Sequence, residues 1–423
     1  MNFGRYIFSQ LCDFLPRRQF ERFVSKYEGN KYVKSFSCWN HLLVMLFGQL
    51  SNRESLRDLI NSLEPYRSSF HHLGFGRHIS RSNLSKANEM REVKIFEDMS
   101  NLMIKNAQNK RKAIKDPYLD VDGRVYAFDS STISLCLNTF WWSKLHHDKG
   151  GIKLHTLYDV ASNIPAFNII TNGDVHDCRV MDKIPYNRGD YYIFDRGYMD
   201  TSMLFSIDKS GSFFVVREKH RMKYTIELDK NYNNPGTGVM NDQIIRFSGA
   251  KTKKHYPNTI RRVIYYDRAG NRTFVFYTNA FLLTAEMVAL LYKYRWRVEL
   301  FFKWMKQHLR IKEFYGTSEN AVKIQIYCAI IAYCLVAIIE SELKLGMSTY
   351  ELLRVLSISL LVKMPLKELL EGVKETENYQ NDTQLSLNFF LVDTSGINYL
   401  IHSEGNVKSL MTTPSFKRIQ LRN

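Results

Sequence analysis

The spacing of hydrophobic positions changes character several times along the 423-residue chain. Residues 1–115 carry apolar residues at helical spacing, which predicts helices over 6–15, 39–50, 51–63 and 82–109, divided by short polar turns such as Glu64-Pro65-Tyr66. From Val121 the pattern alternates. Segments 125–137, 153–160 and 164–171 are rich in β-branched and aromatic residues and predict an antiparallel meander, with Ala161-Ser162-Asn163 as the second turn. A short apolar strand over 191–194 ends in Asp195-Arg196-Gly197-Tyr198. Residues 212–280 again read as strands (213–217, 224–228, 243–248, 261–267 and 273–278), separated by turns at Asn233-Asn234-Pro235-Gly236 and Arg268-Ala269-Gly270-Asn271. Residues 284–308 predict one long helix: Thr284 is an N-cap, Glu286 suits the first turn, and no Gly or Pro interrupts the run. A core helix is expected around the apolar run 326–339 and a further helix over 348–362.

These shifts divide the chain into a helical region (1–115), a first α/β part (121–210), an inserted β-rich unit (211–283), a second α/β part (284–345) and a C-terminal region (346–423) to which no role is assigned. The length accommodates two or three units, and 45% hydrophobic residues can build real cores. A net charge of +17 and a pI near 9.4 point to a polyanion or an acidic membrane surface as partner. The chain opens without the charged and apolar pattern of a secretory signal, and the 326–339 run is shorter than the roughly 18 to 20 residues that span a bilayer. Six cysteines without a C-x-x-C pair point to reduced, buried thiols in a cytosolic protein.

The chemistry is concentrated in acidic residues within apolar surroundings. At about 100° per residue, Tyr292, Arg295, Glu299 and Lys306 fall within an arc of roughly 60° on the 284–308 helix. A structural ion pair between Arg295 and Glu299, with Lys306 in solvent, is the competing account of that stripe. Asp129 lies inside an alternating strand, where a carboxylate costs free energy unless it has a partner, and Asp195 ends another. Three such oxygen ligands meeting at a sheet edge suit two magnesium ions, although each aspartate alone also fits an ordinary turn. Two basic segments are candidates for DNA phosphates. One leads into the 82–109 helix, with Arg77, Arg81, Asn83 and Lys86; its alternative is a solvated helix start capped by Ser82 or Asn83. The other lies in the β-rich unit, where Lys251, Lys253, Lys254, Arg261 and Arg262 occur without an acid among them and Arg217 ends a strand.

The spacing Tyr292-x2-Arg295-x3-Glu299-x6-Lys306 resembles, position by position, the Y-R-E-K signature of a large group of bacterial insertion-sequence transposases, insertion-sequence family four. Phe128-Asp129-Ser130-Ser131-Thr132 and Phe194-Asp195-Arg196-Gly197-Tyr198 look like the family's two aspartate regions. Lys153-Leu154-His155-Thr156, His176-Asp177 and Tyr315-Gly316-Thr317-Ser318 are also similar. The resemblance spans residues 1 to about 345 and implies an α/β fold with an RNase H-like (retroviral integrase-like) catalytic core, an inserted β domain and a helical N-terminal DNA-binding region. It further implies Asp129, Asp195 and Glu299 as a metal-binding DDE triad holding two Mg2+ ions, with Mn2+ as a substitute. The implied reaction is cleavage and strand transfer on double-stranded DNA, at transposon ends and target, through a hairpin on the transposon end. A homodimer in the DNA complex and a cytoplasmic, nucleoid-associated location follow from the same resemblance. Tyr292, Arg295 and Lys306 would hold terminal phosphates, and Trp296 either stacks on a base drawn from the duplex or is a core tryptophan. His155 and His176 orient the site or satisfy core hydrogen bonds. The competing functions are a structure-specific nuclease that cuts and never joins, a DNA-binding protein that has lost catalysis, and a membrane-surface protein, for which no anchor is visible.

Overall fold

A run of small helices precedes the first strand. In the computed structural model, which describes residues 4–372 apart from 77–78, 115, 147–148, 220–221, 231–235, 310–313 and 345, these are α1 (Ile7–Cys12), α2 (Arg17–Lys26), α3 (Cys38–Leu50), α4 (Leu56–Leu63), α5 (Arg81–Met90) and α6 (Val93–Lys110). A 3₁₀ helix, Glu64–Leu73, stands where sequence reading expects only a turn. The segment α2 was not anticipated; it buries Phe20 and Val24 and exposes most of its other residues. The expected helix over 82–109 is broken at Arg91 and Glu92. Arg91 turns to extended backbone, and its guanidinium is drawn to the Phe36 and Ser37 carbonyls, while the Glu92 side chain caps α6. The helix expected over 51–63 starts only at Leu56, where Ser55 accepts a hydrogen bond from the Asp58 amide.

One sheet follows, containing β1 (Val125–Leu135), β2 (Lys144–His146), β3 (Lys149–Asp159), β4 (Ile164–Asn172), β5 (Tyr191–Phe194), β6 (Phe213–Arg217), β7 (Tyr224–Asp229), β8 (Val239–Phe247), β9 (Ile260–Asp267) and β10 (Arg272–Thr278). Its order is β2-β3-β1-β5-β6-β10-β9-β8-β7, with β4 also on β3. The meander β1, β3 and β4 is antiparallel as expected. Strands β1, β5 and β6 run parallel, and β10 continues the sheet antiparallel to β6. Helices α7 (Thr201–Lys209) and α8 (Ala250–His255) lie within this region; α9 (Ala285–Tyr294), α10 (Trp296–His308), α11 (Glu319–Leu343) and α12 (Thr349–Ser359) follow it.

Alternation along β1 divides the interior into two cores. Val125, Ala127 and Ile133 point into a large core shared with the N-terminal helices, α9, α10 and α11. Tyr126 and Phe128 point into a second core with Leu204 and Ile207 of α7, Phe214 and Tyr256. Helix α11 occupies the centre of the first. Among the described residues it is the one helix long and apolar enough by composition to cross a membrane, and 94% of its most apolar window is buried inside the protein. The cysteines form no disulfide, but only Cys38, Cys328 and Cys334 are buried; Cys136 is exposed. Residues 373–423, most of the region left without a role, lie outside the described residues.

Two buried histidines make the fold acid-sensitive. Burial lowers the His41 imidazole to about 3, with Arg91 adding to the effect, and lowers His155 to about 4. A histidine with a depressed folded value binds fewer protons than the unfolded chain between that value and about 6.5, so stability falls as pH drops through this window. Denaturant unfolding is expected to show a loss on the order of a few kcal/mol between pH 7 and pH 4. A profile flat over that range contradicts the burial account.

Candidate active site

The register of the parallel strands places the two aspartates together. Phe128 of β1 pairs with Phe194 of β5, so Asp129 and Asp195 follow at the same level on neighbouring strands. Both succeed a residue of the second core, and alternation therefore turns Asp129 towards the first core, where α9 and α10 pack.

The junction of those helices meets them there. Tyr292 Oη donates to Asp195 Oδ1 at 2.9 Å. Arg295 Nη1 lies 3.0 Å from Asp129 Oδ2, and Arg295 Nη2 lies 2.5 Å from Glu299 Oε1. Lys306 Nζ donates to the Thr132 carbonyl of β1 at 3.0 Å. Thus all four residues of the polar stripe face β1 and β5. The single helix expected over 284–308 is interrupted at Arg295. The Arg295 amide bonds to the Tyr292 carbonyl, and the Val298 amide bonds to the Arg295 carbonyl; these i to i−3 bonds tighten the turn in the 3₁₀ manner. A second clamp holds the same junction: Asp116 accepts from Tyr294 Oη and Arg297 Nη2, at 2.8 and 2.6 Å.

The charges are crowded. Burial pushes the Asp129 carboxyl up to about 6, against the pull of Arg295 and the Ser130 amide, and Glu299 and Asp195 push it further. Burial acts to lower the Arg295 guanidinium, but Tyr292, Glu299, Asp129 and Asp195 outweigh it and raise its value. The Tyr292 phenol is raised to about 12, first by burial and then by Asp195. Arg295 Nε is buried without a hydrogen-bond partner. Among the described residues no three acid, His or Cys side chains are gathered into a ready-made metal site, since Arg295 stands between Asp129 and Glu299. The donor set still fits a hard divalent cation: every candidate ligand is a carboxylate, and burial, with Glu299 and Asp195 adding to it, keeps Asp129 raised despite the Arg295 guanidinium.

The other candidates are dispersed. Trp296, the residue after the break, is 44% exposed and is not a core tryptophan. Arg217 ends β6 with its guanidinium 4.9 Å from the Phe274 ring centre, close enough to Tyr292 to influence it. Lys253 and Lys254 are exposed on α8, which packs on α7 in the layer of the second core. Arg261 cannot line a groove. It is 2% exposed, bound to both oxygens of Asp242 at 2.8 Å, and donates to the Ala280 and Leu283 carbonyls. Arg262 is also engaged, with Gln243 at 3.0 Å. Arg81 and Lys86 are exposed on α5; Ser80, rather than Ser82 or Asn83, caps that helix by accepting from the Asn83 amide. Arg77 lies outside the described residues. Arg18 and Arg22 are exposed one turn apart on α2.

Comparison with known proteins identifies the family. The family described as "Transposase DDE domain" matches residues 121–335, and a domain of unknown function (DUF4372) matches residues 4–76. A Sinorhizobium fredii protein carrying the transposase name y4zB is 32% identical over 260 residues, covering 60% of this chain and 70% of that protein. A Geobacillus stearothermophilus protein named for insertion sequence element IS5377 is 31% identical, covering 51% of this chain and 56% of its own length. One from Synechocystis, named for element IS4SA, is 26% identical over 69% of this chain and 81% of its own length. With half the chain matched by the family and all of Asp129, Asp195 and Glu299 inside the match, the chain belongs to the DDE transposases.

Proposed function

We propose that this protein is the Y-R-E-K type transposase of a bacterial insertion sequence, which binds the terminal inverted repeats of its element and carries out metal-dependent cleavage and strand transfer. The observation that carries this reading is the convergence of Asp129, Asp195 and Glu299 on one helix junction, with Arg295 spanning two of them and Tyr292 holding the third. The sheet order supports an RNase H-like core, because β4, β3 and β1 are antiparallel and β1, β5 and β6 are parallel. On this reading the inserted unit is β7 to β10, joined to the sheet through β10 and β6; β6, which the expected unit of 211–283 includes, pairs parallel with β5 and goes with the core.

Membership in the family carries a divalent-metal requirement, and Mg2+, as two ions, is the species proposed here. Asp129, Asp195 and Glu299 would hold it. When bound, it would activate the attacking oxygen and stabilise the leaving one. The protein's own groups do the remainder. Arg295, whose Nε is buried and unpaired, and Lys306 orient the terminal phosphates of the transposon end. Tyr292 fixes Asp195, and exposed Trp296 offers a stacking face for a base drawn out while a hairpin forms. Residues 1–115 bind the duplex flank, with Arg81 as a phosphate contact, and Arg217, Lys253 and Lys254 add further contacts; a homodimer brings two ends together.

A labelled duplex carrying the element's own end tests the reading. Nicking, hairpin formation and joining in magnesium support it; cutting without joining supports a nuclease. For the flank, Arg81→Ala combined with Lys86→Ala is expected to reduce the slope of log affinity against log salt by roughly 2, about 0.9 for each phosphate that is no longer neutralised. An unchanged slope removes α5 from the DNA interface.

A further inference from the structure

A second polar cluster lies behind Asp129, on the opposite face of β1. Its centre is Asp177, the first residue of the 3₁₀ helix Asp177–Lys183. Asp177 Oδ1 accepts from the Ser130 hydroxyl at 3.0 Å and lies 3.2 Å from Lys153 Nζ. Lys153 also donates to the Val175 carbonyl at 2.8 Å, so both ends of the turn before this helix are tied to β3. His155 stands opposite Ser130 in the β1–β3 ladder, with Nδ1 3.9 Å from Asp177. Its Nε2 meets Thr171 Oγ1 at 2.9 Å, and that hydroxyl donates to the Asn172 carbonyl. His155 Nδ1 is buried without a hydrogen-bond partner. Tyr198 is buried beside Ser130, and its ring packs edge-on against Phe128.

Ser130 connects this cluster to the site. Its hydroxyl is held by Asp177 on one face, while its backbone amide donates to Asp129 Oδ1 at 2.8 Å. The opposite oxygen of Asp129 is held by Arg295. The Asp129 carboxylate is thus fixed from two directions, and one of them leads through Ser130 to Asp177 and Lys153. A cluster needed only for burial would not require that its anchored hydroxyl belong to the residue whose amide holds the metal-binding carboxylate.

We propose that Ser130, Asp177 and Lys153 are positioning residues that set the orientation of the Asp129 carboxylate for a divalent cation. The proposal rests on Asp129 being a metal ligand. Because these residues act through Asp129, the signature is a changed affinity for metal with unchanged affinity for the end. Outer-shell partners of metal ligands typically contribute 10- to 100-fold to metal affinity or activity.

The test uses the full-length protein on a labelled end duplex, titrating Mn2+ and reading both cleavage and Mn2+ binding by electron paramagnetic resonance. Ser130→Ala and Asp177→Ala are expected to raise the Mn2+ concentration for half-maximal binding and cleavage by about tenfold or more. End binding in chelator should stay at the wild-type value, and Ser130→Thr, which keeps the hydroxyl, should restore the wild-type midpoint. Ser130→Ala removes a single oxygen, so it remains informative if Asp177→Ala folds poorly. A wild-type Mn2+ midpoint in Ser130→Ala overturns the proposal, as does a loss of activity that follows melting temperature alone. Asp129→Asn, run in parallel, separates the two ideas: if it binds Mn2+ and cuts normally, the ligand assignment itself has failed.

Discussion

Asp129→Asn is expected to lower single-turnover strand cleavage by about three orders of magnitude or more, without making the protein less stable. On the proposed function the loss follows from removing one anionic ligand of a divalent cation, whose stabilisation of transition-state charge contributes several kcal/mol, and about 4 kcal/mol corresponds to a thousandfold. The retained stability follows from the raised carboxyl. Burial, with Glu299 and Asp195 nearby, makes ionised Asp129 unfavourable to the fold. For an acid raised from its ordinary value to about 6, the folded state binds more protons than the unfolded chain between those values, so its contribution to stability falls as pH rises through that window. Above it the ionised group weakens the fold by an amount on the order of a few kcal/mol, which Asn relieves while giving up the 3.0 Å ion pair with Arg295. Loss of cleavage with an equal or higher melting temperature at pH 8 is the expected pair of results. A large drop in melting temperature would recast Asp129 as a structural partner of Arg295.

Arg261→Ala is expected to destabilise the protein by about 3 to 5 kcal/mol in denaturant unfolding. The side chain is almost wholly buried and holds Asp242 with two bonds of 2.8 Å; its remaining donors satisfy the Ala280 and Leu283 carbonyls. Burial pushes the Asp242 carboxyl up, but Arg261 and Lys230 outweigh it and hold it below its ordinary value. Removing the guanidinium leaves a buried carboxylate with Lys230 alone and two carbonyls short of a donor. The clamp has a functional position too, because Leu283 directly precedes Thr284, the residue that caps α9. Arg261→Met combined with Asp242→Leu, which removes both charges, should recover much of the loss. A single-variant cost below about 1 kcal/mol would contradict the clamp.

The strands around the aspartates were legible because their signals are local. Alternation identifies β1, β3 and β4, and a short apolar run identifies β5, which puts Asp129 within one strand and Asp195 just after another. What brings the aspartates together is the register of Phe128 with Phe194, a long-range choice that no local pattern encodes. The same limit hid the continuity of the sheet, which depends on β10 pairing with β6. The stripe on residues 284–308 was found from spacing alone, whereas the break at Arg295 was not. That turn tightens where one guanidinium is held by Asp129 of another element and by Glu299 of its own. Arg261 was misassigned for an instructive reason. Its basic neighbours contain no acid, but its partner lies nineteen positions away on the adjacent strand. Arg91 broke an expected helix in a similar way, by reaching carbonyls more than fifty residues distant.

On the proposed function the junction of α9 and α10 brings an acid, Glu299, to the aspartate pair for cleavage of DNA. The most direct measurement compares wild type with Glu299→Gln on a labelled duplex bearing the element's own end, in magnesium and in chelator. Wild type is predicted to nick the end and then form a hairpin only with magnesium, and Glu299→Gln to bind the duplex and do neither. If Glu299→Gln cuts as well as wild type, Arg295 and Glu299 are a structural ion pair and the proposed site is wrong.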